Sequence, residues 1–128
     1  LGSKNVMVVH SEDKLDEISV AAKTKVVELR EDKISEYVIS PEDFGFEPQS
    51  LDELKVNSPE ESLSMAKKAL KGEHTAASSM VALNAGAALY VSGIENSLSK
   101  GVEKAKEGIK NKAGLDKLQE LAEYSRSF

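Results

Sequence analysis

In the stretch VMVVHSEDKLDEIS, residues 6 to 19, the side chains able to do chemistry are four carboxylates, Glu12, Asp13, Asp16 and Glu17, with His10 just ahead of them. An adjacent Asp-Glu pair suits a hard divalent cation, because Mg²⁺ takes oxygen ligands, keeps several waters and is held by one or two carboxylates together with substrate phosphates. Neighbouring side chains point in different directions on a regular backbone. Asp16 and Glu17 would therefore share two metals, or one through water, rather than chelate one tightly. Residue types alone leave a second reading open, a solvated acidic surface turn. They argue against an EF-hand, whose alternating Asp/Asn positions, central glycine and closing glutamate are missing. His10 has no second histidine near it in a chain without cysteine, so a hydrogen bond to a backbone carbonyl is favoured over a ligand contact.

Such a loop needs a mount. The run Val6-Met7-Val8-Val9 has no polar alternation and predicts a strand buried on both faces, which implies further parallel strands upstream. A loop leaving the carboxyl end of such a strand is where α/β sheets place ligand chemistry. Residues 24 to 40, TKVVELREDKISEYVIS, predict a hairpin about Glu31-Asp32-Lys33, with Tyr37 and Ile39 on one face and Ile34 and Val38 on the other. Pro41, Gly45 and Pro48 then punctuate a loop that Phe44 and Phe46 pin to a neighbouring element.

Everything after residue 50 predicts helix. Ser50-Leu51-Asp52-Glu53 has capping-box spacing, as has Ser58-Pro59-Glu60-Glu61, where proline takes the first helical position. The helix opened at Ser58 carries Leu63, Ala66 and Leu70 on one face and stops at Gly72. His74 is expected as a capping or surface residue. An uncharged helix follows, in which Asn84 would hydrogen-bond across a helix interface and Ala82, Ala85, Gly86 and Ala88 allow close backbone packing. A charged helix from about Asn96 to Lys112 and a last one from about Leu115 to Tyr124 are separated by Gly114.

The chain has 128 residues, 40% hydrophobic and 30% charged, enough for one globular core. Net charge is −5 with the basic residues scattered among acids, which disfavours nucleic acid as a partner. The uncharged stretch from Thr75 to Ile94 is rich in serine, alanine and glycine, so a helix packed inside a protein is preferred to a membrane span. Absence of cysteine suits a reducing cytoplasm, the expected location.

The segments VMVVHSEDKLDEIS, TKVVELREDKISEYVISPEDFGF and VALNAGAALYVSG, in this order, resemble the C-terminal part of the anthranilate phosphoribosyltransferase family of tryptophan biosynthesis. The likeness runs over nearly the whole chain, and members of the family are a good deal longer. The resemblance implies that residues 1–128 are a single C-terminal fragment of an α/β phosphoribosyltransferase domain. The implied fold class is α/β, part of a larger sheet-and-helix domain, with one buried strand and a hairpin followed by three to four helices. The implied reaction moves the 5-phosphoribosyl group from phosphoribosyl pyrophosphate onto the amino nitrogen of anthranilate, and pyrophosphate leaves. Asp16 and Glu17 match the family's Mg²⁺ site near that pyrophosphate.

Two positions depart from the family pattern: Ser11 and Lys14 stand where glycines are expected, so a positive φ there would bring strain or a different turn. Lys14 could reach the acids or a phosphate, with a solvated side chain the plainer alternative. The glycine-rich phosphate loop and the anthranilate contacts of the family fall upstream of Leu1. The fragment is therefore expected to be inactive alone and to expose a strand edge and apolar faces that promote association or dye binding. The whole protein is expected to be a homodimer. Two other readings stand beside this one: a relative of pyrimidine nucleoside phosphorylase, which shares the general fold, and a non-catalytic binding or scaffold module in which Asp16 and Glu17 are solvated charge.

Overall fold

The computed structural model describes residues 2–73 and 75–127. Strands β1 (Asn5–Ser11), β2 (Thr24–Arg30) and β3 (Lys33–Ile39) form an antiparallel sheet in that order. Helices α1 (Pro59–Leu70), α2 (Ala76–Val91), α3 (Leu98–Lys110) and α4 (Ala113–Ser125) follow. Strands followed by four helices match the expected α/β arrangement. The hairpin forms because Glu31 and Asp32 accept φ values of 50° and 60°, the left-handed pair that a two-residue turn needs. Lys33 already pairs with Arg30 and belongs to the strand.

One face of the sheet carries Val9, Val26, Tyr37 and Ile39 against a core completed by Ile18, Val20, Leu83 and Val102. The other face bears Val8, Ile34 and Val38, which are 60%, 72% and 58% exposed. The expectation of a first strand buried on both sides is thus corrected. Among the described residues β1 pairs only with β2, antiparallel, turning Met7 and Val9 inward and Val8 outward. β-Branched residues serve a strand whichever way they face, so a valine run does not report how many faces are covered.

Helix starts follow their caps. Ser58 accepts from the Glu61 N–H at 3.1 Å, with Pro59 at the first helical position, and Ser50 caps a short 3₁₀ turn over Leu51–Leu54. Gly72, at φ 80°, ends α1 as expected. The inward face of α1 is Met65, Ala69 and Leu70; of the face made by Leu63, Ala66 and Leu70 only Leu70 turns inward, and Leu63 and Ala66 are exposed. Gly114 lies inside α4 rather than before it, since the chain turns at Lys112, φ 61°. A Cβ at Gly114 would sit 2.9 Å from Leu70 Cδ2, so this glycine serves packing. Phe44 and Phe46 pack on the core, and Lys106 donates to the Phe44 carbonyl at 2.6 Å while covering the Phe46 ring. No helix among the described residues is long and apolar enough to cross a membrane.

Helix α2 is tied to the sheet by a buried carboxylate. Glu28, 8% exposed, accepts from Tyr37 Oη at 2.8 Å and from Tyr90 Oη at 2.6 Å, and the Arg30 guanidinium lies 4.6 Å above the Tyr90 ring. Burial first, then the Glu28 carboxylate, pushes the Tyr37 hydroxyl well above the usual phenol range, and Tyr90 moves the same way. A phenol whose folded pKa is raised binds its proton more tightly in the native state. Its contribution is complete below the ordinary phenol pKa of about 10 and is lost as pH rises beyond it. Urea unfolding between about pH 8 and 11 should therefore show stability falling from about pH 10, with a shallower fall in Tyr37→Phe.

Candidate functional site

The acidic loop leaves β1 at Ser11 and is built around Asp13. The Ser11 and Ser19 hydroxyls both donate to the Asp13 carboxylate, closing residues 11–19 on themselves. Ser11 Oγ also accepts the Leu15 N–H at 3.1 Å, while the Ser11 N–H donates to the Leu15 carbonyl at 3.1 Å. Burial alone would raise the Asp13 carboxyl, but hydrogen bonds from Ser11, Ser19 and nearby backbone amides outweigh it and hold Asp13 below the usual carboxylate range. Ser11 does not have a positive φ; it is fully buried and its hydroxyl organises the turn, work a glycine could not do. Lys14 does have φ 74° and is exposed. A left-handed conformation costs a non-glycine residue about 1–2 kcal/mol, of which glycine's greater chain entropy takes back up to about 1 kcal/mol. Lys14→Gly should thus stabilise the protein slightly, raising Tm by ~2 °C in calorimetry.

The loop holds its carboxylates in two different states. Asp13 is consumed internally, whereas Asp16 and Glu17 are exposed, with neither carboxylate taken by a hydrogen bond or ion pair among the described residues. Immediately after them the chain is pinned: the Asn84 side chain on α2 accepts the Ile18 N–H at 2.9 Å and donates to the Ile18 carbonyl at 2.9 Å. The expected bond from Asn84 across a helix interface is thus corrected; its partner is this loop. Of the small residues near it, Ala82 and Gly86 are buried and Ala85 and Ala88 exposed, so only the first two serve close packing.

Hard oxygen donors that are free and aimed at solvent fit Mg²⁺ by chemistry, and two carboxylates are the usual protein share of such a site. Among the described residues no third His, Cys, Asp or Glu joins them, so further ligands would have to come from substrate oxygens and water. His10 is exposed on the outer sheet face and its imidazole makes no hydrogen bond among the described residues, which removes the expected bond to a backbone carbonyl. His74 lies outside the described residues. A cavity of about 750 Å³ opens elsewhere, between Phe46, Gln49, Ser79 and Ile109, with Lys71 and Lys110 on its rim. Those lysines stand at the C-terminal ends of α1 and α3, where they complement the helix dipoles.

A family model described as glycosyl transferase family, a/b domain, matches residues 1–115. The chain belongs to this family. Anthranilate phosphoribosyltransferase of Chromohalobacter salexigens is 54% identical over 126 residues, covering 98% of this chain and 36% of the relative. That of a Marinomonas species is 52% identical over 130 residues, covering 100% of this chain and 38% of the relative. The chain thus spans a little over a third of the length of these curated relatives. Among solved structures, the anthranilate phosphoribosyltransferase of Thermus thermophilus superposes with a TM-score of 0.74 at 35% identity, over 84% of this chain and 32% of that one. The Saccharomyces cerevisiae enzyme in complex with PRPP and Mg gives 0.81 at 22% identity, over 95% and 35%, a likeness of fold. The resemblance carried by three sequence segments is thus matched over residues 1–115 of this chain.

Proposed function

We propose that this chain supplies the metal-holding side of the active site in a Mg²⁺-dependent transferase that moves the 5-phosphoribosyl group from phosphoribosyl pyrophosphate to anthranilate. What carries the reading is the 54% identity to an anthranilate phosphoribosyltransferase over 98% of the chain. The free Asp16 and Glu17 carboxylates, on a loop otherwise bonded to itself, support it.

The chemistry follows from charge. As the bond between ribose C1 and the diphosphate oxygen breaks, negative charge gathers on the leaving group. Asp16 and Glu17 would hold a Mg²⁺ ion, which when bound would supply Lewis-acid stabilisation of that charge without a proton transfer. The chain's own residues do the rest of the positioning. Asp13, through Ser11 and Ser19, keeps the turn closed, which leaves the two exposed carboxylates free for a cation and its substrate oxygens. The sequence has no glycine-rich phosphate-cradling run, so the remaining diphosphate contacts and the anthranilate contacts belong to the rest of such an active site.

The test is direct. The whole gene product that contains this chain should consume anthranilate when given phosphoribosyl pyrophosphate and Mg²⁺, stop when the metal is chelated, and resume when it is restored. No consumption under any of these conditions would overturn the reading.

A further inference from the structure

We infer that Asn84 is a positioning residue for the Asp16–Glu17 pair, acting through the backbone of Ile18; this rests on the metal role proposed above. Asn84 sits in the middle of α2, and both ends of its amide are engaged: Oδ1 accepts the Ile18 N–H at 2.9 Å, and Nδ2 donates to the Ile18 carbonyl at 2.9 Å and to the Met80 carbonyl at 3.0 Å. An amide is the side chain that can give and accept at once toward a single residue's main chain. Aspartate keeps the acceptor and loses the donor, and leucine loses both.

Position makes this more than a packing contact. Ile18 directly follows Glu17, and its side chain, 3% exposed, is locked in the core beside Val20. On the other side of the pair, Ser11, Asp13 and Leu15 close the turn by hydrogen bonds. Asp16 and Glu17 therefore occupy a short span between two pins, one made by the loop itself and one by α2. Carboxylates that must meet a cation demanding near-octahedral geometry gain from a fixed backbone. Groups that orient ligands in this way typically change metal affinity by about 10–100-fold when removed.

The readout is metal affinity without turnover. In the whole gene product, Mn²⁺, which takes the same octahedral oxygen sites, is titrated by electron paramagnetic resonance in the presence of inorganic pyrophosphate. Asn84→Ala should raise the Mn²⁺ dissociation constant about tenfold, and Asn84→Asp should raise it too, since a carboxylate would face the Ile18 and Met80 carbonyls. Added to Asp16→Asn/Glu17→Gln, Asn84→Ala should change the constant no further, because the groups it positions are already gone. A merely structural role would lower Tm and leave the affinity of the folded fraction as it was. Wild-type affinity in either folded Asn84 variant, or an equal further loss in the acid-free background, overturns the inference; if Asn84→Ala does not fold, Asn84→Asp decides. Should Asp16→Asn/Glu17→Gln leave Mn²⁺ affinity unchanged, the proposed metal role itself fails. A shift in that variant with none in the Asn84 variants removes Asn84 alone.

Discussion

Replacing Asp16 and Glu17 together by alanine should lower the Mg²⁺-dependent turnover of the whole gene product by about a hundredfold or more, since Lewis-acid stabilisation of developing charge is worth several kcal/mol. The same change should leave Tm within about 2 °C, because surface substitutions away from a packed or bonded feature fall within about 0.5 kcal/mol. Both side chains are exposed and bonded to nothing among the described residues. Asp13→Ala, three residues away, should show the reverse emphasis. It deprives the Ser11 and Ser19 hydroxyls of their shared acceptor; Ser11 keeps the Leu15 carbonyl at 3.3 Å, whereas the fully buried Ser19 hydroxyl loses its acceptor at a cost of about 1–3 kcal/mol. Its pH signature is also distinct. The folded carboxyl is held below its ordinary value, so the stabilisation is present above about pH 4 and disappears as pH falls through the folded pKa. Steady-state kinetics and thermal unfolding on the two variants separate the roles. A strong Tm loss in Asp16→Ala/Glu17→Ala would mean that the pair holds the loop rather than a ligand.

How far the sequence could show this depends on which interactions are local. The hairpin, the Ser58-Pro59 helix start and the Gly72 stop were legible because each is decided within four residues by turn or cap chemistry. The acidic loop was legible as a cluster, but not its division of labour. Whether a carboxylate is free depends on which hydroxyl folds back onto it, and Ser19 reaches Asp13 only once the chain has turned between them. The resemblance marked Asp16 and Glu17, yet the left-handed φ it suggested for two positions is found at Lys14 and not at Ser11. Asn84 was visible as an odd polar residue in a helix of small ones; its partner, Ile18, is 66 residues distant in the chain, beyond any periodicity. Burial of Val6–Val9 and the inner face of α1 depended on which neighbours exist, and a pattern of apolar residues cannot say that.

Gly101→Ala should be among the most damaging single-methyl changes in the chain, destabilising by more than about 3 kcal/mol, whereas Gly108→Ala in the same helix should stabilise by up to about 1 kcal/mol. At Gly101 an added Cβ would lie 2.2 Å from the Gly86 carbonyl oxygen and 3.1 Å from its carbon, both backbone atoms that no rotamer change can move. The crossing is tight from both sides, since a Cβ on Gly86 would lie 2.6 Å from the Val102 Cα and nitrogen. Relief requires α2 and α3 to separate, which opens the core where Leu83 and Val102 are 0% and 1% exposed. Gly108 meets nothing within 4 Å, so alanine there only improves helix propensity. The functional consequence follows from α2 itself. Asn84 and Gly86 share that helix, so a methyl that pushes α2 away from α3 also moves the amide that holds Ile18. Urea unfolding of the two alanine variants tests the packing claim, and a Gly101→Ala protein of wild-type stability would show that the two helices are not in backbone contact.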